Sequence, residues 1–160
     1  MTRCALAQPF FLAPNTMNPQ TIHHVQSSWA QVLPIAPHAA AIFYDELFTL
    51  DPSLRQLFKG DMQAQGTRLM QMIGAAVGQL KRLDALVPVL QGLGQRHAGY
   101  GVVERHYAIV GTALLATLSK GLGPAFTAEV EAAWVEVYGV MSSVMSSVRC
   151  EAAESVPANA

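Results

Sequence analysis

The sequence predicts an all-α domain, and three observations support that prediction. Almost every segment carries apolar residues at the three- and four-residue spacings of a helix, and no run alternates apolar and polar residues as a half-buried strand does. Hydrophobic residues make up 51% and charged residues 13% of the 160 residues, which suits one well-packed domain. Proline, glycine and capping residues divide the chain into seven or eight helices of uneven length, unlike an up-and-down bundle.

Prolines and capping residues separate three predicted helices in the first third of the chain. Asn18 or Thr21 can cap the first helix, which ends where Pro34 interrupts it. The second helix spans about 36–50. The segment 51–58 follows as a short helix, because its proline lies in the first turn, where a missing N–H has no intrahelical acceptor to lose.

The rest of the chain predicts four more helices around a sharp corner. A long helix over about 61–81 precedes a short helix over about 84–97, and each begins at an aspartate that can cap it. The glycine-containing segment 98–101 then breaks the helical pattern. Two long helices follow, over about 103–118 and 127–151.

The predicted domain occupies residues 17–152. Residues 1–16 are interpreted as a disordered arm or as the result of a misassigned start codon, and residues 153–160 as a loose tail. Cys4 and Cys150 have no metal-like spacing and do not make a disulfide framework. We interpret both as free thiols in a reducing compartment, so the sequence predicts a cytoplasmic protein.

Composition excludes some classes of function and favours others. The formal net charge of −1 provides no basic excess to neutralise phosphates, so nucleic-acid binding is not expected. No uninterrupted apolar run approaches the ~18 residues that a membrane span requires. The low charge content indicates apolar surface that something covers, and a large apolar cofactor or a partner subunit would each do so. We therefore expect either a monomer or a homodimer.

One histidine continues the apolar face of a predicted helix. Leu86, Leu90, Leu93 and His97 follow one another at spacings that return to the same side of a helix. A buried imidazole must be hydrogen-bonded or bind a metal. The spacing alone leaves both interpretations open, and a satisfied core histidine is the commoner of the two.

One glutamine interrupts the apolar face of the preceding helix. Gln65 shares that face with Leu69, Ile73 and Ala76, and an amide among apolar residues is costly unless it has a partner. It is either a boundary residue in the first turn or a donor directed at a bound ligand. Gln63 is the alternative if the helix begins differently, although it would leave the face of Leu69.

Taken in order along the chain, these features resemble the bacterial haemoglobins, meaning the globin domain of flavohaemoglobins and its single-domain relatives. The resemblance covers about residues 18–151 and implies a globin fold of seven or eight helices around a haem pocket. It rests on these motifs: Phe43-Tyr44-Asp45-Glu46-Leu47-Phe48, Asp51-Pro52, Leu57-Phe58, Gln95-Arg96-His97, His106-Tyr107-Ala108-Ile109-Val110-Gly111, Leu114-Leu115, Ala133-Trp134 and Val137-Tyr138-Gly139-Val140.

The resemblance assigns roles to residues that would be ordinary core positions if considered singly. His97 matches the proximal histidine that ligates the iron of haem b, and Phe58 matches the phenylalanine on the haem face. Tyr44 and Gln65 match the distal pair that donates hydrogen bonds to a bound ligand. The other implied haem-lining residues are Leu69, Val102 and Val110.

Two further residues match the family's proximal hydrogen-bonding partners. Tyr107 matches a tyrosine beside the proximal histidine, and Glu151 falls at the spacing of a glutamate on the last helix. An inward carboxylate there would raise the basicity of His97, which is a peroxidase-like arrangement. A solvated Glu151 at a fraying helix end remains the alternative.

The resemblance implies reversible binding of O2, and also of CO and NO, with high oxygen affinity. Nitric oxide dioxygenase is the main alternative, and it would depend on a separate flavin-dependent reductase because these residues contain no reductase segment. A gas or redox sensor is a further alternative. Outside the haem proteins, a cofactor-free helical regulatory domain also remains open.

Overall fold

The computed structural model describes residues 17–154, with side chains described as far as Ser147. Within that range the chain forms six α-helices and three short 3-10 helices, and no strands. The α-helices are α1 (Pro19–Val32), α2 (Ala36–Leu50), α3 (Met62–Gly78), α4 (Leu83–Gly99), α5 (Glu104–Leu122) and α6 (Ala128–Glu154). The 3-10 helices are Leu33–Ile35, Pro52–Leu57 and Gly123–Ala125. The all-α prediction is confirmed.

Side-chain caps begin two of these helices where the sequence predicts them. The Asn18 side-chain Oδ1 atom accepts a hydrogen bond from the Gln20 N–H at 2.8 Å, so Asn18 caps α1 and Thr21 lies inside it. The Asp61 carboxylate accepts from the Gln63 N–H at 2.9 Å and caps α3 in the same way. These caps fix the start of α3 and therefore which of its residues face inward.

The fourth helix departs from the prediction at its start and in its length. Asp84 was expected to cap it, but α4 begins at Leu83 with Arg82 as its N-cap, and Asp84 lies in the first turn. There its carboxylate still faces the positive end of the helix dipole. Pro88 lies inside α4 without ending it, so α4 has 17 residues, as α3 does, and is not a short helix.

Tight segments before α3 and after α5 follow from local chemistry. The segment after α2 is a 3-10 helix, Pro52–Leu57, which Asp51 caps by accepting from the Ser53 N–H at 3.0 Å. The helix α5 continues beyond the predicted end to Leu122, because the chain turns only at Gly123, whose φ of 55° suits glycine. The 3-10 helix Pro52–Leu57 connects α2 directly to Phe58.

The core forms where α6 packs across α1 and α4 and where α2 packs against α5. Trp134 of α6 is fully buried, and its Nε1–H donates to the Ser28 hydroxyl at 2.8 Å. The Trp29 ring lies beside it with the ring centroids 6.1 Å apart. A Trp side chain buries a large apolar area and usually needs a partner for its N–H, so Ser28 makes this burial possible.

One helix has the length and composition of a membrane span. Within the described residues, Glu104–Ala125 reaches a mean hydropathy of 1.2. This segment includes α5, which packs against α2 and α6 and buries Ala113, Leu114 and Leu118. Its hydropathy comes from a mixture of small and apolar residues, so the count of consecutive apolar residues did not single it out.

Candidate functional site

Three aromatic side chains from α2 and the following segment meet at one place. The buried Tyr44 ring makes an edge contact with Phe58 at a centroid distance of 5.4 Å and stacks on Phe48 at 5.9 Å. Phe48 and Phe58 contact each other at 5.7 Å. Phe58 is only half-buried. The 3-10 helix thus returns Phe58 to α2, as the resemblance implies for a residue of the pocket.

The Tyr44 hydroxyl lies near the Gln65 side chain of α3, which opposes the rise in the pKa of that hydroxyl. The Gln65 Oε1 atom accepts a hydrogen bond from Nη2 of Arg68 at 3.0 Å. Because that oxygen is engaged by Arg68, the amide N–H2 group is the end of Gln65 left to donate. The structure therefore joins Tyr44, Gln65 and Arg68 into one polar chain that runs from a buried hydroxyl to an exposed guanidinium.

The surroundings of the Tyr44 hydroxyl keep it protonated at neutral pH. Burial raises the pKa of the Tyr44 hydroxyl above its ordinary value, while the Gln65 hydrogen bond and the nearby Arg68 charge oppose that rise. A protonated phenol can donate a hydrogen bond, whereas a phenolate can only accept. Tyr44 is therefore available as a donor in the pocket.

The rest of the α3 face agrees with the register predicted from Gln65. Leu69 and Ile73 are half-buried and pack against the core, whereas Gln63 is exposed. The Gln63 backbone N–H is committed to the Asp61 cap. Gln65 is thus the glutamine that the structure brings to Tyr44.

The second group of site residues lies at the end of α4. The Nδ1 atom of His97 lies 2.7 Å from the carbonyl oxygen of Leu93, one turn earlier. A carbonyl oxygen only accepts, so Nδ1 carries the proton and Nε2 keeps a lone pair. Half-buried His97 is thus hydrogen-bonded on one nitrogen and suited to bind a metal through the other.

A tight corner after His97 holds its helix end in place. The His97 carbonyl accepts from the Val102 N–H at 3.0 Å, and Gly101 between them has a φ of 90°. A Cβ at Gly101 would lie 3.9 Å from the Leu57 side chain, so the corner approaches the segment that carries Phe58. Val102, expected to line the haem, is half-buried at this corner.

Helix α5 places Tyr107 beside the histidine. The ring centroids of His97 and Tyr107 are 6.4 Å apart. Tyr138 of α6 supports this arrangement by donating its hydroxyl proton to the Tyr107 carbonyl. Val110, one turn beyond Tyr107, is half-buried against the core. The side chain of Glu151 lies outside the described residues, although α6 itself extends past that position.

The residues of the two groups fit a haem. Across the described chain, α3 packs mainly on α2 and α1 and α4 packs mainly on α6, so any contact between α3 and α4 is slight. Partly buried apolar side chains on both sides match a flat apolar group: Phe58, Leu69, Ile73, Leu93 and Val110. Among the residues described, no cluster of three or more metal-ligating side chains exists, and haem iron needs only one or two protein ligands.

Sequence analysis missed Arg68 as a member of this site. Its charge and its exposed position on α3 are typical of a solvated helix surface. The available signal was its spacing, because residues three apart on a helix are neighbours, and Arg68 follows Gln65 by three. A glutamine on an apolar face with an arginine one turn later indicates an amide whose orientation is fixed.

Comparisons with known proteins agree with this geometry. The globin family model matches residues 41–145, a range that contains every described site residue. The chain is 36% identical to neuroglobin of Danio rerio over 124 residues, which cover 69% of this chain and 77% of neuroglobin. It shares its fold with an engineered carbene transferase, described as a "putative nitric oxide dioxygenase from Rhodothermus marinus". The TM-score is 0.77 at 24% identity, covering 87% of this chain and 97% of the other. This chain therefore belongs to the globin family.

Proposed function

We propose that this globin binds O2, and also CO and NO, reversibly at a haem b that is ligated by Nε2 of His97. The observation that carries the proposal is the hydrogen bond from His97 Nδ1 to the Leu93 carbonyl, because it fixes the tautomer whose Nε2 can bind iron. The family supports haem and gas binding in general. The roles of individual residues are part of the proposal.

Haem supplies an iron at which a diatomic gas can bind and gain negative charge. On the proximal side, His97 holds the group, and the corner at Val102 keeps the end of α4 from fraying. Half-buried Phe58 and Leu69 would cover apolar faces of the haem and keep water from them. A dry pocket strengthens every hydrogen bond made inside it.

On the distal side, Tyr44 and Gln65 provide the donors. Burial keeps the Tyr44 hydroxyl protonated, and Arg68 leaves the Gln65 N–H2 group as the donating end of the amide. Such donors stabilise a ligand that gains negative charge, as O2 does, more than one that stays neutral, as CO does. The proposal therefore predicts high oxygen affinity and slow oxygen release.

The test is the absorption spectrum of the protein reconstituted with haem, before and after dithionite and CO. The proposal is supported if the Soret band of the parent shifts with CO and the band is lost or altered in His97→Ala. His38→Ala is the matched control, because His38 is exposed on α2 and should leave the spectrum unchanged. A parent protein that takes up no haem, or a His97→Ala variant with the parent spectrum, would contradict it.

A second candidate is nitric oxide dioxygenase, in which bound oxygen and NO are converted to nitrate. The Tyr44 and Gln65 donors favour it because retention of oxygen until NO arrives is a requirement of that reaction. The Rhodothermus marinus protein of similar fold carries the description "putative nitric oxide dioxygenase". The reaction leaves oxidised iron, so a separate flavin-dependent reductase would have to supply electrons. Reversible oxygen binding without catalytic nitrate formation, measured with NO and a generic reductase, would reject this candidate.

A further inference from the structure

We propose that a basic rim beside the candidate site docks a small acidic electron-donor protein, which reduces the oxidised iron. The basic rim consists of Arg55, Lys59, Arg96 and Tyr100. The inference rests on the proposed function, because it requires a haem held by His97. It goes beyond that function by assigning a surface of this chain to a partner and by stating the chemistry of that partner.

Positive charge is concentrated in the segment that carries the candidate site. Residues 52–105 contain seven Lys or Arg residues and three Asp or Glu residues. The other residues of the range 17–147 contain one Lys residue and six Asp or Glu residues. Phe58, Gln65 and His97 all belong to the basic segment. The site therefore lies in the basic part of an otherwise acidic chain, and such an asymmetry steers a charged partner towards that part.

Two segments contribute to the basic rim, and they flank the site. In sequence, Arg55 and Lys59 lie on either side of Phe58, where the chain leaves its 3-10 helix. Arg96 and Tyr100 lie at the end of α4, in its last turn and at its C-cap. The backbone N–H of Tyr100 donates to the Arg96 carbonyl at 3.0 Å, so the helix end holds this pair together.

The two segments lie close to each other. A Cβ placed on Gly101 would lie 3.9 Å from Cδ2 of Leu57, so the corner that follows α4 contacts the segment between Arg55 and Lys59. Tyr100 directly precedes that glycine. The basic rim is therefore one surface and not two separate patches, and it borders the place where the haem would be held.

The three cations of the basic rim are exposed and form no ion pair with the described side chains. The ion pair found among those side chains joins Lys120 to Glu46, on α5 and α2. The Arg55 guanidinium lies over the Phe48 ring, 4.9 Å from its centroid, and an aromatic face leaves the charge of the cation in place. An acidic partner can therefore approach the rim without displacing a carboxylate of this chain.

Tyr100 gives the surface an aromatic anchor of the kind that protein interfaces use. Its side chain is 69% exposed, although a tyrosine ring offers a large apolar area to bury. Tyr and Arg are enriched among the residues that dominate binding energy at interfaces. An exposed tyrosine in the company of two arginines without carboxylate partners therefore indicates a docking surface for another protein.

An electron donor suits this surface better than a partner that forms a stable complex. Oxidised iron has to accept one electron before O2 or CO can bind to it, and the donor protein loses that electron while no bond to this chain forms or breaks. Complementary charge mainly raises the association rate, which suits an encounter that lasts only until the electron has moved. The acidic remainder of this chain repels the same donor, so other orientations are disfavoured.

The experiment measures how fast reduced flavodoxin, the small acidic probe donor, reduces the ferric protein in a stopped-flow instrument. Arg55→Gln, Lys59→Gln and Arg96→Gln should each lower the second-order rate constant about twofold to fivefold, and the triple variant about tenfold or more. Arg55→Lys keeps the charge and should retain most of the rate. The parent rate should fall more steeply with ionic strength than that of the triple variant.

Two controls separate docking from changes at the haem. Lys81→Gln removes an exposed positive charge beyond the far end of α3, a helix about 25 Å long, and should keep the parent rate. The photochemically generated 5-deazariboflavin radical is a small uncharged reductant. Its rate of reducing the ferric protein should therefore be equal in the parent and in every variant.

A second readout does not depend on reduction of the iron. Oxidised flavodoxin added to the CO complex of the protein should shift the backbone amide NMR signals of residues 55–59 and 96–101. Those shifts should disappear in the triple variant. Shifts confined to α1 and α6 would contradict docking at the basic rim.

Equal flavodoxin rates in the parent and the triple variant would overturn this inference and leave gas binding intact. Equal losses with flavodoxin and with the deazariboflavin radical would also overturn it, since they would indicate that these side chains hold the haem and not a partner. Binding to phosphatidylserine vesicles in preference to flavodoxin, at the same ionic strength, would assign the surface to a membrane instead. A chain that takes up no haem would remove both this inference and the proposed function.

Discussion

Gly94 of α4 lies directly against the backbone of Met145 in α6. A Cβ placed on Gly94 would lie 2.4 Å from the Met145 carbonyl oxygen and 2.9 Å from its Cα. Backbone atoms cannot move aside as a flexible side chain can, so only glycine fits there. Gly94 precedes His97 by three residues, slightly less than one turn of α4, so this contact fixes how far the end of α4 that carries His97 lies from α6.

Gly94→Ala should destabilise the protein and weaken its hold on haem. The methyl group would push α4 away from α6, and overpacking of this kind costs about 1–3 kcal/mol. Gly92→Ala on the same helix is the control, since nothing lies within 4 Å of its Cβ. That variant should gain up to about 1 kcal/mol from helix propensity. Urea unfolding measures the change in stability, and haem transfer to apomyoglobin measures how tightly haem is held. Equal stability of Gly94→Ala and Gly92→Ala would contradict the close contact.

Tyr44→Phe should speed oxygen dissociation by about tenfold or more, because it removes the hydroxyl that we propose donates a hydrogen bond to bound oxygen. The ring contacts with Phe48 and Phe58 remain, so folding should be preserved. Stopped-flow replacement of O2 by CO measures the rate. Tyr100→Phe is the control, because the Tyr100 ring is 69% exposed. An oxygen dissociation rate in Tyr44→Phe equal to that of the parent would remove Tyr44 from the ligand site.

Gln65→Leu and Gln63→Leu test which glutamine belongs to the pocket. Gln65 contacts Tyr44 and Arg68, whereas Gln63 is exposed. We expect Gln65→Leu to speed oxygen dissociation about threefold to tenfold, the range of one neutral hydrogen bond, and Gln63→Leu to leave it unchanged. Stopped-flow replacement of O2 by CO again measures the oxygen dissociation rate. A larger effect from Gln63→Leu would show that α3 is shifted in its register.

The sequence predicted the helices well because each boundary has a local chemical cause. Asn18, Asp61 and the prolines act on neighbouring residues, so their effects are visible without a structure. The face of α3 that carries Gln65 followed in the same way from the helical repeat. Asp84 was expected to act as a cap because its residue type suits one, but α4 begins one residue earlier.

Contacts between distant segments could not be predicted from the sequence. The closeness of Gly94 to Met145 depends on how α4 crosses α6, and the orientation of the Gln65 amide depends on which rotamer Arg68 adopts. The Leu93 partner of His97 lies one turn away, but its role appears only once the imidazole is placed. The helix faces that carry the candidate site residues were therefore predictable, whereas the hydrogen bonds that orient those side chains were not.

The Tyr138 side chain makes folding stability sensitive to alkaline pH. Burial, reinforced by Tyr107, raises the pKa of the Tyr138 hydroxyl well above its ordinary value, and that hydroxyl donates to the Tyr107 carbonyl. In the unfolded chain a tyrosine ionises near pH 10, so above that pH the folded state holds a proton that the unfolded state has lost. The contribution of Tyr138 to stability should therefore be constant below about pH 9 and fall as pH rises above it, by at most about 1.4 kcal/mol per pH unit.

Tyr138→Phe should reduce that alkaline slope, because phenylalanine carries no proton to lose. At neutral pH the variant should lose about 1 kcal/mol for the missing hydrogen bond, while the ring still packs on Gly111. Some slope should persist, since the buried Tyr44 also has a raised pKa. Urea unfolding from pH 8 to about pH 11 measures the slope, with Tyr100→Phe as the control. A slope in Tyr138→Phe as steep as in the parent would mean that Tyr138 does not retain its proton in the folded protein above pH 10, and that other groups cause the alkaline loss of stability.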